Sequence, residues 1–174
     1  MVHKTLIVGC GKIAGGYDQM SIGNTVKTHA RAYSQNPYFQ IDACIEPDNE
    51  KKNAFCNYWD VKDSFNDLSE IDFTSHSFDV ISICSPSNLH YKHLKQSLAF
   101  RPKLIFCEKP LCLSLNESIE IVDECKNSST KLVVNYSRRF DRTFSDFKEK
   151  IYLGKFGKLR GISAIYNLSL IHIS

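Results

Sequence analysis

The stretch Lys4-Thr5-Leu6-Ile7-Val8-Gly9-Cys10-Gly11-Lys12-Ile13-Ala14 decides the fold. Its apolar first half predicts a buried parallel strand. Its second half matches the pattern G-x-G-x-x-G/A, in which the glycines allow a tight turn and a close approach of the backbone to a pyrophosphate. Backbone N–H groups and the positive end of the next helix would meet the phosphate charge. The residues predicted to bind a dinucleotide here are Gly9, Gly11, Lys12, Ile13 and Ala14. A glycine turn with a structural role alone is the alternative.

Strand-like and helix-like segments alternate along the rest of the chain. Further apolar runs predict strands at 39–45, 79–84, 104–107 and 132–135, and helical spacing predicts helices at 88–99 and 115–126. Ser114 and Glu117 form a capping box for the second helix, whose expected apolar face comprises Leu115, Ile119, Val122 and Cys125. The segment 64–77 is expected to be a loop with a short helix. The alternation predicts an α/β fold, a Rossmann-type doubly wound parallel sheet with helices on both faces.

An acidic residue stands where the second predicted strand ends. Glu46 follows the strand 39–45 and precedes Pro47, the position from which a carboxylate accepts hydrogen bonds from the adenosine ribose and repels a 2′-phosphate. NAD is therefore expected as cofactor, with NADP less favoured. The spacing from Gly9 exceeds the usual ~20 residues, which we attribute to an insertion at 16–27. A solvated turn carboxylate is the alternative for Glu46.

Composition excludes several classes of protein. The net charge of +3 arises from 22 basic and 19 acidic residues that are mixed along the chain, so a nucleic-acid partner is not expected. None of the seven cysteines falls in a C-x-x-C pair, which disfavours a zinc site or a disulfide framework and indicates reduced, buried thiols. No apolar run approaches the length of a signal peptide core or a membrane span. We expect a cytoplasmic protein that binds no metal and no membrane.

Two more motifs follow predicted strands. Ser85-Pro86-Ser87-Asn88-Leu89-His90 comes after the strand 79–84, and Glu108-Lys109-Pro110 comes after the strand 104–107. Both lie where strand ends face a ligand crevice. With the glycine pattern they occur in the order typical of the Gfo/Idh/MocA oxidoreductases, which this sequence resembles. The segments 135–140 and 154–157 extend the resemblance, which covers roughly residues 3 to 167.

The resemblance implies an NAD(P)-dependent oxidoreductase that acts on a CH–OH group of a sugar, polyol or related small molecule, in an intact parent that is a homo-oligomer. It adds Ser85, Pro86, His90, Glu108 and Lys109 to the cofactor-binding residues. Lys109 is in addition the expected catalytic residue, which positions or polarises the reacting oxygen. Pro110 would fix the turn that presents Lys109, through either a cis or a trans peptide bond. Lys109 could instead pair with Glu108 on a surface turn, and His90 could simply begin a helix.

The resemblance also implies that a second domain is incomplete. Residues 1–136 are expected to form the dinucleotide-binding domain, and 137–167 a bridge and the start of a truncated α+β domain, with a helix at 144–152 and its first strand at 158–167. Residues 168–174 resemble the translation of a sequencing adaptor and are expected to be non-native. No D-x-x-x-H pair follows Gly161, so the fragment is expected to be inactive or weakly active. A catalytically silent dinucleotide sensor and a purely structural domain are the alternatives.

Overall fold

The computed structural model describes residues 2–19, 25–163 and 165. Six strands form one sheet in the order β3-β2-β1-β4-β5-β6, and every adjacent pair is parallel. The elements in chain order are β1 (His3–Val8), α1 (Tyr17–Gln19), α2 (His29–Ser34), β2 (Phe39–Ile45), α3 (Asn49–Trp59), β3 (Asp63–Phe65), β4 (Val80–Ile83), α4 (His90–Leu98), β5 (Leu104–Cys107), α5 (Leu115–Asn127), β6 (Lys131–Val134) and α6 (Arg142–Tyr152).

The strand order reverses beside β1. The chain first builds outward through β2 and β3, then returns to the other side of β1 and continues through β4, β5 and β6. β1 therefore pairs with both β2 and β4, with Val8 opposite Ile45 on one side and Ile83 on the other. In open parallel sheets the crevice outside such a reversal, at the carboxyl ends of the strands, is where ligands bind.

Two apolar cores cover the two faces of the sheet, as the doubly wound prediction requires. Leu6 and Val8 of β1 belong to the core that includes Leu94 of α4 and Ile121 of α5. Ile7 points to the opposite face and belongs to the core that contains residues of α2 and α3, including Phe55. The alternation along β1 is the two-residue period of a strand that is buried on both faces. The fold class predicted from the sequence is confirmed.

The predicted apolar face of α5 is partly wrong. Leu115 and Ile119 have 75% and 51% of their surface exposed, whereas Ile121 and Cys125 are buried against the sheet. A helix turns once in 3.6 residues, so Ile119 lies nearly opposite Ile121 and the two cannot share one buried face. Ser114 caps this helix through the amide of Glu117, as predicted.

The chain divides into two compact units between Asn135 and Tyr136. The second unit contains α6 and a turn with positive φ at Gly154 and Gly157. The predicted strand at 158–167 is not formed in its described part, 158–163 and 165. A strand needs a hydrogen-bonding partner to be stable in water, and the described residues of this unit provide none. The predicted tail, 168–174, lies outside the described residues.

Candidate dinucleotide-binding site

Gly9 and Gly11 shape the turn after β1 in different ways. Gly9 has φ of +92°, and a Cβ added there would lie 2.8 Å from the backbone of Ser85. Its N–H donates to the carbonyl of Ile45 over 2.8 Å. Gly11 has φ of −77°, and an added Cβ would meet nothing within 4 Å. Gly9 is therefore required by the turn and by the contact with Ser85, whereas Gly11 leaves space open.

The turn continues into a wide helical turn, Lys12–Gly16, that packs on the sheet. The amides of Gly15 and Gly16 both donate to the carbonyl of Gly11, over 3.2 and 3.3 Å. Ala14 is fully buried in the core. A Cβ at Gly15 would lie 2.3 Å from Nε1 of Trp59. Ala14, predicted to bind cofactor, thus has the packing role that the last position of the pattern serves.

A cleft of about 680 Å³ opens at the carboxyl ends of β1, β2 and β4. This is the size range of cofactor pockets. Seven of the predicted cofactor-binding residues line it, namely Gly9, Gly11, Lys12, Ile13, Glu46, Ser85 and Pro86. The remaining four, Ala14, His90, Glu108 and Lys109, are not among its lining residues in the described chain.

Glu46 lines the cleft and is held there by two backbone amides. Its Oε2 accepts the N–H of Cys10 over 3.0 Å, and its Oε1 accepts that of Asp48 over 3.2 Å. Asp48 in turn caps α3 by accepting the amides of Glu50 and Lys51. The carboxylate is thus fixed between the glycine turn and β2. Each of its oxygens keeps a lone pair for a further donor such as a ribose hydroxyl.

Several polar residues that line one side of the cleft were not predicted from the sequence. Asn66 and Asp67 follow β3, and Lys92 and His93 lie in α4. Lys92 donates to Asp67 over 2.8 Å, and this bond is the main reason that the pKa of Asp67 is lowered. β3 has three residues and no apolar run, so nothing in the sequence placed the loop after it. For His93 the sequence did contain a signal, because it follows His90 by three residues on a predicted helix and therefore lies on the same helix face.

Ser85 connects this side of the cleft to the glycine turn. Its hydroxyl lies 2.8 Å from Nδ1 of His93, which is 8% exposed. Burial lowers the pKa of His93, with a further contribution from the charge of Lys92. The neutral imidazole is therefore favoured, and it can fix the Ser85 hydroxyl without adding charge to the cleft.

His90 links two turns and is 1% exposed. Its Nδ1 lies 2.7 Å from the carbonyl of Pro110, and its Nε2 lies 2.9 Å from the carbonyl of Ser85. It is also the first residue of α4, as the alternative interpretation had it. Through these two contacts His90 positions the backbone of both motif turns.

Glu108 is part of a buried polar network that the sequence did not predict. Its Oε1 receives hydrogen bonds from Nε2 of His29 over 3.0 Å and from Nδ2 of Asn135 over 2.6 Å. Burial tends to raise the pKa of Glu108, but these two bonds outweigh it and the pKa is lowered. The carboxylate therefore points toward α2 and the end of β6, and the backbone N–H of Lys109 also contributes to its lowered pKa.

Two hydroxyls extend this network on the side of His29. Ser82 Oγ lies 3.2 Å from Nδ1 of His29 and 2.7 Å from the hydroxyl of Tyr33. Burial raises the pKa of Tyr33 to about 12, so its hydroxyl keeps its proton and can donate. Donation from Tyr33 to Ser82, from Ser82 to His29, and from His29 to Glu108 satisfies each group in turn.

Lys109 follows Glu108 at the carboxyl end of β5 and is exposed. The peptide bond between Lys109 and Pro110 is cis, which is one of the two forms considered from the sequence. Its two neighbours in the chain are held in place, Glu108 by the network and Pro110 by His90. The lysine thus extends from an anchored turn at the same edge of the sheet as the cleft.

Among residues 2–19, 25–163 and 165, no cluster of three or more His, Cys, Asp or Glu side chains is arranged to hold a metal ion. Within the same residues, no helix has both the length and the apolar character needed to cross a membrane.

Known proteins match this chain over the elements just described. Myo-inositol 2-dehydrogenase of Thermotoga maritima is 34% identical over 98 residues, which are 56% of this chain and 29% of that protein. The NADP(+)-dependent scyllo-inositol 2-dehydrogenase of Bacillus subtilis is 28% identical over 130 residues, 74% of this chain and 38% of that protein. The chain therefore spans well under half the length of these relatives.

A solved structure shows the same fold. Scyllo-inositol dehydrogenase from Lactobacillus casei, with bound NAD(H) and scyllo-inositol, superposes with a TM-score of 0.76 at 21% identity, over 90% of this chain and 43% of that one. Residues 3–136 match the family described as GFO_IDH_MocA, oxidoreductase family, NAD-binding Rossmann fold. With the glycine turn, the cleft and the two motif turns in place, the chain belongs to the Gfo/Idh/MocA oxidoreductase family.

Proposed function

We propose that the cleft binds NAD(H), with the pyrophosphate over the turn Gly9–Gly11 and the adenosine ribose at Glu46. The observation that carries the proposal is the position of the Glu46 carboxylate, fixed 3.0 Å from the amide of Cys10 inside the glycine turn. Glu46 thus presents a carboxylate that can accept hydrogen bonds from ribose hydroxyls. This carboxylate lies beside the glycine turn, where the backbone leaves room for a phosphate. The open space at Gly11 supports the same placement.

We further propose that the cleft prefers NAD over NADP. A 2′-phosphate carries about two negative charges, and it would have to lie beside the Glu46 carboxylate, whose position is fixed by two amides. Lys12 and Lys51 also line the cleft, but Lys51 is already paired with Asp48 over 3.2 Å. The relatives include both an NADP(+)-dependent enzyme and one solved with NAD(H), so the carboxylate is the feature that supports the choice.

Titrations with NADH and NADPH test both proposals directly. Trp59 is the chain's one tryptophan and packs against the turn at Gly15, so bound reduced nicotinamide should quench its fluorescence. We expect NADH to bind at least about tenfold more tightly than NADPH, a difference of ~1.4 kcal/mol. Glu46→Gln should reduce this ratio. Absence of binding at millimolar NADH would refute the site, and a preference for NADPH would refute the role of Glu46.

We propose that the intact protein is a dehydrogenase of a sugar, polyol or related hydroxy compound. The nicotinamide, when bound, supplies the hydride acceptor or donor. Lys109 extends from an anchored turn beside the cleft, where its ammonium group can hydrogen-bond the reacting oxygen of the substrate and stabilise negative charge on it. Cysteine usage without C-x-x-C pairs supports a cytoplasmic location.

The test of this activity requires the full-length gene product. Lys109→Met should lower kcat with a polyol substrate by ~100-fold or more, while NADH affinity changes little because Lys109 does not line the cleft. Unchanged kcat in this variant would refute the catalytic role. If the full-length protein binds NADH tightly but turns over no sugar or polyol, it is a silent dinucleotide-binding protein of the same fold.

A further inference from the structure

Three cysteines form a cluster directly behind the glycine turn. Cys44 in β2 and Cys56 in α3 have their sulfur atoms 3.5 Å apart. Cys10 lies within the glycine turn, and its Sγ donates to the carbonyl of Ile45, the residue that follows Cys44, over 3.8 Å. The proposed cofactor chemistry does not use these thiols, and Cys10 is the residue whose amide holds Glu46.

The cluster is electrostatically uneven. Hydrogen bonds from Cys10, and then from Cys56, lower the pKa of Cys44 against the opposing effect of burial, and the nearby charge of Lys52 contributes in the same direction. Burial raises the pKa of Cys56 to about 11. The thiolate is therefore favoured at Cys44, the central sulfur. A thiolate is the nucleophile in disulfide exchange.

The three cysteines also differ in their exposure to solvent. Cys44 is fully buried and Cys10 is 7% exposed, whereas Cys56 is half-buried. An oxidant in solution therefore meets Cys56 first. Cys44 lies behind it, at van der Waals distance, as the resolving thiolate. An accessible thiol with a second cysteine next to it is the arrangement in which a mixed disulfide at the first sulfur can be resolved by the second.

We propose that Cys44 and Cys56 are a reversible dithiol–disulfide pair whose oxidation weakens dinucleotide binding through Cys10. The oxidant is a low-molecular-weight disulfide such as glutathione disulfide. Cys56, the accessible sulfur, gives up its proton as it attacks one of the two sulfurs, and the glutathione thiolate that leaves takes up a proton. The Cys44 thiolate then attacks Cys56 Sγ and releases the second. The two cysteines are oxidised by two electrons, and their protons end on the two glutathione molecules that form.

The connection to the cleft follows from the contacts of Cys44. Bond formation pulls Cys44 toward Cys56 and so shifts the next residue, Ile45, whose carbonyl accepts from Gly9 N–H over 2.8 Å and from Cys10 Sγ over 3.8 Å. Because the amide of Cys10 holds Glu46, a shift of the turn disturbs both the phosphate-binding backbone and the ribose acceptor. This second step rests on the proposed function, whereas disulfide formation does not.

Oxidation of the purified chain by glutathione disulfide tests the chemistry. Trypsin cleaves after Lys51 and Lys52 and so separates Cys44 from Cys56. Mass spectrometry should find the peptides 32–51 and 53–62 joined by a disulfide that dithiothreitol releases. We expect the free thiol count to fall by two from seven. Glutathione retained on Cys56, with Cys44 still free, would overturn the proposal.

Three variants separate the chemistry from effects on folding. Cys56→Ser should keep its remaining thiols free under the same oxidant, Cys44→Ala should trap glutathione on Cys56, and Cys112→Ala, in the other core, should oxidise like the parent. If Cys44→Ala does not fold, the half-buried Cys56→Ser still decides the test. Loss of two free thiols on oxidation of Cys56→Ser, as in the parent, would overturn the pairing.

Affinity for NADH is then compared before and after oxidation. We expect oxidation to weaken binding by about tenfold, the typical value of one charge-assisted hydrogen bond, and dithiothreitol to restore it. Cys56→Ser should show no change. Equal affinity in both states would overturn the coupling alone. Failure of the reduced chain to bind NADH would instead refute the proposed function and leave the dithiol pair standing.

Discussion

Substitutions at Gly9 and Gly11 should have different effects, although both residues lie in one turn: the first should lower stability and the second should weaken NADH binding. Gly9→Ala places a Cβ against Ser85 at a φ of +92°, so we expect it to lower the free energy of unfolding by ~2 kcal/mol or more. Gly11→Ala fits its φ and meets no protein atom. We expect it to leave stability within ~0.5 kcal/mol and to weaken NADH binding about tenfold. Urea denaturation and NADH titration measure the two effects, and undiminished binding by Gly11→Ala would contradict the phosphate placement.

Glu108 gives a prediction for pH dependence. The pKa of its carboxyl is lowered in the folded chain by His29 and Asn135, so the folded state binds its proton less readily than the unfolded state does. The stabilisation is therefore complete above the usual carboxyl pKa and is lost as pH falls through the lower, folded value. Stability should decline toward acid pH, measured as the urea midpoint between pH 7 and about pH 3.

Two substitutions at Glu108 separate charge from hydrogen bonding. Both bonds end on Oε1, so Glu108→Gln can keep an acceptor there while losing the charge. We expect Glu108→Ala to cost ~2–3 kcal/mol at pH 7 because it leaves two buried donors unpaired, and Glu108→Gln to cost less. Both variants should show a smaller acid decline than the parent. A parent-like acid decline in Glu108→Gln would assign that decline to other carboxyl groups.

Residues whose place at the cleft is set by neighbours in the chain were predictable, and residues whose contacts are set by the fold were not. The glycine turn, Glu46 and the Ser85-Pro86 turn lie in short motifs next to strands, so the sequence shows their context. His29 and Asn135 meet on Glu108 from positions 79 residues before it and 27 residues after it. No local pattern could indicate that contact, because the sheet creates it.

Among the elements, α5 provides the sharpest test of an assignment that the structure corrected. Ile121 is fully buried, whereas Ile119, two residues earlier, is 51% exposed. Ile121→Ala should therefore lower the free energy of unfolding by ~2–5 kcal/mol, while Ile119→Ala should change it by less than ~0.5 kcal/mol. The two variants remove the same side-chain atoms from the same helix, so helix propensity cancels. Equal losses would show that both faces of α5 are covered.

Strand β3 shows where sequence patterns end. Asp63, Ser64 and Phe65 pair in register with Ala43, Cys44 and Ile45, yet two of the three are polar and exposed. An edge strand contacts one neighbour and needs no continuous apolar run. Its absence from the predicted strands also hid Asn66 and Asp67, which follow it and line the cleft. The central strands were predictable because they are buried on both faces.

At the scale of the whole molecule, the division after Asn135 predicts that the first unit folds and binds alone. Both apolar cores lie within residues 6–125, the family match ends at 136, and Asn135 is the last residue that bonds to Glu108. A chain of residues 1–136 should therefore unfold at the same urea midpoint as the full chain and bind NADH with equal affinity. NADH at a hundred times its Kd should stabilise both by ~2.7 kcal/mol.

A chain of residues 1–127 is the matched control, because it lacks both Asn135 and β6. Strand β6 pairs with β5 at four positions, from Lys131 to Val134. It should lose most of its stability, since β5 then becomes an uncovered edge and Glu108 loses one of its donors. A large loss of stability or of NADH binding in residues 1–136 would show that the second unit is part of the cofactor-binding fold.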